Sequence, residues 1–288
     1  MKSKLIFTFL ALAICAGFVS CSKDDAAEEP MLVVKFKFDA NQERLNNIGQ
    51  PAGVAAGNAA QSPVFNTISA HYLEFAPNAN TQLGDGTVLY HAPETTVGGV
   101  SAIDFAQSKI VSEGETFLKI PLSQIAAGNY SWVRVSLSYQ NYDISIRQAG
   151  ADYTGTLASF VGFNTYIGTH SIGNSFFPVN GNRLQGYWAF ALHDFPYSDS
   201  GQAPPGATTV PNPIASTSPI PSGSCVVTGQ FANNLVITGN ETHDVVVTLS
   251  LSINHSFEWH EVTADGKFEP AIGENVVDMG LRGLKPSF

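Results

Sequence analysis

Five side chains near the C-terminal end have the chemistry to bind a metal: His243, His255, Glu258, His260 and Glu261. Imidazole nitrogens and carboxylate oxygens hold a borderline divalent ion when three or four of them meet at about 2.0–2.2 Å from it. On a strand, successive side chains alternate faces, so His260 and Glu258 share a face with Ser256 while His255 points to the other. Local spacing therefore supplies at most two ligands, and convergence needs a bulge or a turn. The candidate ligand set is His243, His255, His260 and Glu261; hydrogen-bonded surface histidines fit the same pattern.

Hydrolytic chemistry finds less support. Thr169-His170-Ser171-Ile172-Gly173 approaches a Gly-x-Ser-x-Gly elbow, but Thr169 replaces the first glycine. The following Asn174-Ser-Phe-Phe-Pro178 does not begin a helix, so an oxyanion hole of that design is not expected. Asp143, Glu258 and Asp278 could furnish a glycosidase pair, yet any chain with 24 acids offers such candidates. There is no Walker loop, no Gly-x-Gly-x-x-Gly after a strand, no Cys-x-x-Cys and no His-Glu-x-x-His. No catalytic residue is assigned, and the chain is read as a non-enzyme.

Aromatic side chains are the other candidate apparatus. Tyr130, Trp132, Tyr139 and Tyr142 cluster on one run, Tyr187-Trp188-Ala189-Phe190 on a second and Phe257-Glu258-Trp259 on a third. Most would fill a core, but Trp132 falls on the face opposite Val133 and Val135, beside Arg134, where it could meet solvent. A flat ring beside polar groups suits a sugar or a partner protein, so Trp132, Trp188 and Trp259 are candidate ligand-binding aromatics.

The elements that would position these groups read as strands. Val133, Val135, Leu137 and Tyr139 alternate with Arg134, Ser136 and Ser138; Val245 to Ile253 repeats the pattern. Both imply a buried face and a solvated Ser face. Val133–Asn141 and Val247–His255 align without gaps at four identities in nine positions, which fits either a duplicated unit or one composition rule. Further strand candidates are Leu32–Phe38, Val64–Phe75, Thr87–His91, Leu157–Phe163, Gly186–Leu192, Cys225–Phe231 and Leu235–Thr238, with Asp85-Gly86, Asn180-Gly181 and Asp265-Gly266 as turns. Helix signals are limited to Asn41–Asn46 and Ser101–Ile110. Ile48–Gln61 reads as a loop. Phe195–Ser224 carries seven prolines and cannot join a ladder over most of its length. The expected fold is all-β, an antiparallel β-sandwich with long Pro/Gly-rich loops, spanning residues 31–288 with a possible subdivision near 200–215.

Residues 1–20 have the layout of a secretory signal: Lys2 and Lys4, then an apolar core too short to span a bilayer comfortably. Phe18-Val19-Ser20-Cys21 resembles a bacterial lipobox, with Phe18 where Leu is usual. It implies that Cys21 is lipidated and becomes the first mature residue. Residues 21–30 form an acidic tether. Its Ser22-Lys23-Asp24-Asp25 looks like the export signal that carries lipoproteins of Bacteroidetes-type bacteria to the outer face of the outer membrane. Loss of Lys2 and Lys4 leaves 12 basic against 24 acidic residues, a formal charge of −12, which disfavours nucleic acid as a partner. With Cys15 in the signal and Cys21 acylated, Cys225 has no partner for an internal disulfide.

Val33–Phe38, Ile68–Phe75, Ile103-Asp104-Phe105 and Ile120-Pro-Leu…Ala127-Gly-Asn-Tyr130 resemble, in order and spacing, the early half of methanobactin-associated copper-binding (MbnP-like) proteins. The resemblance covers about 110 residues and implies one copper site built from histidines and a modified tryptophan; no ligand motif transfers residue by residue. Together these readings describe an outer-membrane lipoprotein facing outward, held by its lipid anchor, with a non-catalytic binding or structural role toward a glycan or envelope protein. The alternative is a copper- or other metal-binding lipoprotein, and a secreted hydrolase is the third reading.

Overall fold

The computed structural model describes residues 29–46, 48–203 and 217–288. The signal, Cys21 and Ser22, Lys23, Asp24 and Asp25 lie outside them, as do residues 204–216 of the Pro-rich stretch. In chain order the strands are β1 (Met31–Asp39), β2 (Asn58–Gln61), β3 (Val64–Ala76), β4 (Thr87–His91), β5 (Glu94–Thr95), β6 (Ala102–Asp104), β7 (Thr116–Pro121), β8 (Gly128–Gln148) and β9 (Ala151–Phe160). They continue with β10 (Asn164–Ile172), β11 (Ser175–Leu184), β12 (Tyr187–Leu192), β13 (Ser198–Gln202), β14 (Cys225–Ile237), β15 (Val245–Ser252), β16 (Phe257–His260), β17 (Val276–Met279) and β18 (Leu284–Ser287).

β8 organises the molecule. Its 21 residues pair with β3 on one side and with β9 and β14 on the other, forming a sheet ordered β13-β12-β9-β8-β3-β4 with β14 attached. A second sheet, β18-β15-β1-β7, lies against one face of it. Between them Leu32, Val34 and Phe36 of β1 and Val247, Leu249 and Leu251 of β15 meet Leu73, Phe75, Val133 and Val135 in the largest apolar cluster. The alternation read from β15 is thus the pattern of a strand with one core face. The all-β, sandwich-like architecture expected from the sequence is present. It departs from the purely antiparallel expectation in two places, because β1 runs parallel to β15 and β10 parallel to β6.

The expected solvated face of β8 is instead buried. Arg134, Ser136 and Ser138 are all nearly inaccessible because a further layer covers them. Arg134 is neutralised there by Glu74 at 2.9 Å, beneath Leu83, Ile220 and Val226. The strict period of two also fails at Ser138. Consecutive residues Ser69 and Ala70 of β3 face Tyr139 and Leu137, so Ser138 is an extra residue and Tyr139 turns away from the Val135 face. Tyr139 then joins Phe160, Tyr187 and Ala189 under the β10–β11 hairpin, which supplies Ile167, Ile172 and Phe177. That hairpin was not anticipated as strands. It places Thr169-His170-Ser171 inside β10 and Gly173 at a left-handed turn, φ +53°, not at a nucleophile elbow.

Smaller differences have local causes. Cys225–Phe231 and Leu235–Thr238 merge into β14, whose register shifts between Gln230 and Leu235. Ile48–Gln61 ends in β2, which pairs with β16. The helix signal at Ser101–Ile110 yields one short 3-10 turn at Phe105–Gln107, capped by Asp104. Among the described residues no helix is long and apolar enough to cross a membrane.

Gly229 packs where β14 meets β18, and a Cβ there would stand 2.5 Å from the Leu284 carbonyl oxygen. Gly229→Ala is expected to cost about 1–3 kcal/mol, read as a lower midpoint in urea unfolding. His170 is buried against Phe177 at 4.9 Å with neither ring nitrogen partnered, and burial pushes its pKa down to about 4. The unfolded chain then binds the proton first, so stability falls as pH drops from about 6.5 toward 4, by on the order of 2–3 kcal/mol. His170→Phe is expected to flatten this part of the stability–pH curve.

Candidate metal centre

The four sequence candidates do not converge. His243 is exposed and bonds Thr242 through Nδ1. His255 sits in a left-handed turn with φ +50° and its ring on Asn254, while exposed His260 ends β16. Glu261 accepts the Gly266 amide and closes a loop. Glu258, on the same strand, is taken up by Arg44 at 2.7 Å and by Asn58. Two features separate the set: β16 projects alternate residues to opposite sides, and His243 lies beyond the far end of β15.

Among the described residues one group of three metal-ligating side chains does converge: His71, His91 and Glu94. His71 owes its position to a bulge. Ala70 faces Leu137 and Tyr72 faces Ser136, so His71 has no opposite residue on β8 and its side chain is re-aimed. β4 brings His91 alongside, and the Ala92 amide donates to the His71 carbonyl at 2.7 Å. Pro93 then ends β4, and Glu94 begins β5, held by pairing with Ile103 of β6. Ser101 donates to Glu94 Oε2 at 2.5 Å, which leaves Oε1 turned toward the histidines.

The three donor atoms form a nearly equilateral triangle. His71 Nε2 lies 2.9 Å from Glu94 Oε1, His91 Nε2 lies 3.2 Å from the same oxygen, and the two Nε2 atoms are 3.1 Å apart. A tetrahedral ion with ligands at about 2.0–2.1 Å spaces them by about 3.3–3.4 Å, so a few tenths of an ångström of opening would seat it. The His71 ring is fully buried, its centroid 5.2 Å from that of Phe163, whereas about half of the His91 side chain is exposed. The triangle therefore opens to solvent on the His91 side, leaving a coordination position for water or a ligand.

Protonation favours the same use. Burial pushes His71 below its ordinary value despite the Glu94 carboxylate beside it. Burial alone would raise Glu94, but hydrogen bonds from Ser101 and His71 and the charges of the two histidines hold it below its ordinary range. A neutral imidazole and an ionised carboxylate are the forms that bind a metal. His71 Nδ1 has no hydrogen-bond partner, so its tautomer is left free to suit the occupant of the triangle.

The tryptophans separate. Trp259 is fully buried, packed on Phe268 with ring centroids 5.5 Å apart, and cannot stack on a ligand. Trp132 is half-buried opposite Ala76 and Gln230. Trp188, also half-buried, borders a large groove remote in sequence from the metal triangle. Cys225 is a free thiol that burial pushes up to about 12, which keeps it protonated and unreactive at neutral pH.

Sequence reasoning missed all three converging residues. The short His91-Ala-Pro-Glu94 spacing was a readable signal for two of them. The third, His71, depends on a bulge that no local pattern announces. No family model, curated protein or solved structure matches this chain. The geometry of the triangle is thus the main support for a functional reading.

Proposed function

We propose that this protein is an outer-membrane lipoprotein, tethered through Cys21 and facing outward, that binds a borderline divalent ion, Zn2+ or Cu2+, through His71, His91 and Glu94. One observation carries the metal reading: three donor atoms from β3, β4 and β5 stand 2.9–3.2 Å from one another. Two imidazoles and one carboxylate suit these ions over the hard cations Mg2+ and Ca2+, which prefer all-oxygen sites. Three protein ligands leave a position open, so an ion held here exchanges more readily than one in a closed four-ligand site. The role is binding of the ion, consistent with a non-catalytic envelope protein. The anchor rests on the lipobox-like Phe18-Val19-Ser20-Cys21 and the acidic run that follows it.

Metal content of the mature chain, measured by mass spectrometry after loading with Zn2+ or Cu2+, is expected to reach one ion per chain. His91→Ala and Glu94→Gln should each weaken affinity at least tenfold, and uptake should fall as the solution is acidified, because protons compete with the ion for the donor atoms. His243→Ala and His260→Ala should change nothing. A wild-type chain that stays metal-free, or one whose metal survives His91→Ala, overturns the reading. The anchor is checked separately: Cys21→Ala is expected to abolish incorporation of labelled palmitate and release the protein from the membrane fraction.

A further inference from the structure

A groove of about 1290 Å³ opens beside the β18-β15-β1-β7 sheet, over the part of the same face of the long sheet that it leaves uncovered, with Val227 and Leu281 of the largest apolar cluster in its lining. Its floor is β8, β9, β12 and β13, with Ile144, Ile146, Tyr153 and Leu157 pointing into it. Trp188 and Phe190 lie along this floor because glycines beneath them carry no side chain. A Cβ on Gly201 would stand 2.9 Å from the Trp188 ring, and one on Gly155 would stand 2.2 Å from the Phe190 ring. The opposite wall is Phe257, Phe268, Met279 and Leu281. The size exceeds the roughly 300–1,000 Å³ common for small-molecule sites, and the lining is mainly apolar, as such sites are.

Two atoms at the inner part of the groove specify what the occupant must bring. Gln140 and Ser159 face each other across the β8–β9 ladder, both line the groove and both are about 1% exposed. Gln140 donates its amide to the Met279 carbonyl, yet its Oε1 has no partner, and neither does Ser159 Oγ. Orphaned buried polar atoms are destabilising, and a bound hydroxyl would satisfy both by donating to Oε1 and accepting from the serine. The one cation in the lining, Arg282, is already used. Arg282 pairs with Asp278 and lies 3.7 Å from Glu258, which also holds Arg44. Among the described residues the remaining charged groups of the lining are carboxylates, Glu274 held by the Val262, Thr263 and Glu269 amides and Asp199 by the Ser200 amide, so no free cation is left to favour an anionic headgroup.

We propose that this groove binds a neutral, lipid-like molecule with a flat apolar body and one hydroxyl, the body lying on Trp188 and Phe190 and the hydroxyl reaching Gln140 and Ser159. None of His71, His91 or Glu94 lines the groove, so the proposal stands apart from the metal reading. The occupant reaches the floor along exposed Phe195, Tyr197 and Leu184 at the groove's rim.

The test uses the mature chain, residues 21–288 with Cys21→Ala so that no acyl chain or detergent competes, titrated with the fluorescent sterol dehydroergosterol. The expected result is saturable binding near one per chain, with energy transfer from tryptophan and no response to EDTA. Trp188→Ala should weaken binding at least tenfold. Ser159→Ala and Gln140→Leu should weaken the sterol severalfold while leaving competition by hydroxyl-free cholestane unchanged. Circular dichroism verifies that each variant is folded. Absence of saturable binding to the wild type, or equal binding by Trp188→Ala, overturns the proposal. Tighter binding of palmitate than of the sterol overturns its neutral, hydroxylated occupant.

Discussion

The β3–β8 ladder is the constraint on which the rest of the protein depends. Both strands are buried on both faces over most of their length, so neither face can be left to solvent. Each face therefore recruits its own cover. The β18-β15-β1-β7 sheet takes one face near Val133 and Val135, and the β10–β11 hairpin takes the other near Tyr139. The extra residues His71 and Ser138 break the alternation of this ladder, and both breaks matter. The break at Ser138 turns Tyr139 toward the hairpin and Gln140 toward the groove. The break at His71 turns an imidazole toward β4 and β5.

Polar groups caught in these layers divide into satisfied and unsatisfied sets. Glu74 receives Arg134, the Tyr72 hydroxyl and the Gly84 amide, so a fully buried carboxylate is compensated on all sides. Removing one partner from such a pair costs about 3–5 kcal/mol, which marks it as structural. Arg44, Glu258, Arg282 and Asp278 form a second, charge-balanced network, in which Arg44 Nε and Nη1 and Arg282 Nε keep no hydrogen-bond partner. The His71–His91–Glu94 triangle differs because three lone-pair-bearing atoms point at one place with few protons to share among them. Gln140 and Ser159 differ because both residues line the groove while Gln140 Oε1 and Ser159 Oγ have no hydrogen-bond partner. Compensated clusters hold the layers together, and the uncompensated ones are where a ligand gains free energy.

The strands that carry one core face were legible in the chain: β15 from Val245 onward, β1 from Leu32 and β4 at Thr87–His91 all appear close to where alternation put them. Trp188 was read from the sequence only as one of three candidate ligand-binding aromatics, and the fold sets it beside a groove. The β10–β11 hairpin was not, because its apolar residues Ile167, Ile172 and Phe177 are too sparse to show a period and act only against Phe160 and Tyr187. The Ser face of β8 misled for the opposite reason. Serine is small enough to be buried under another layer, so its polarity did not predict exposure.

What the sequence determined by itself is the all-β class, the position of the strongly alternating strands, the negative charge and the lipobox-like start, since each depends on residue type and on spacing within a few positions. Tertiary structure decided which ligand-capable side chains meet. His260 and His255 are five residues apart and never converge, while His71 and His91 are twenty apart and stand 3.1 Å from each other at Nε2. The reason is geometric: strand pairing and a single inserted residue set where a side chain aims, and both depend on partners distant in the chain.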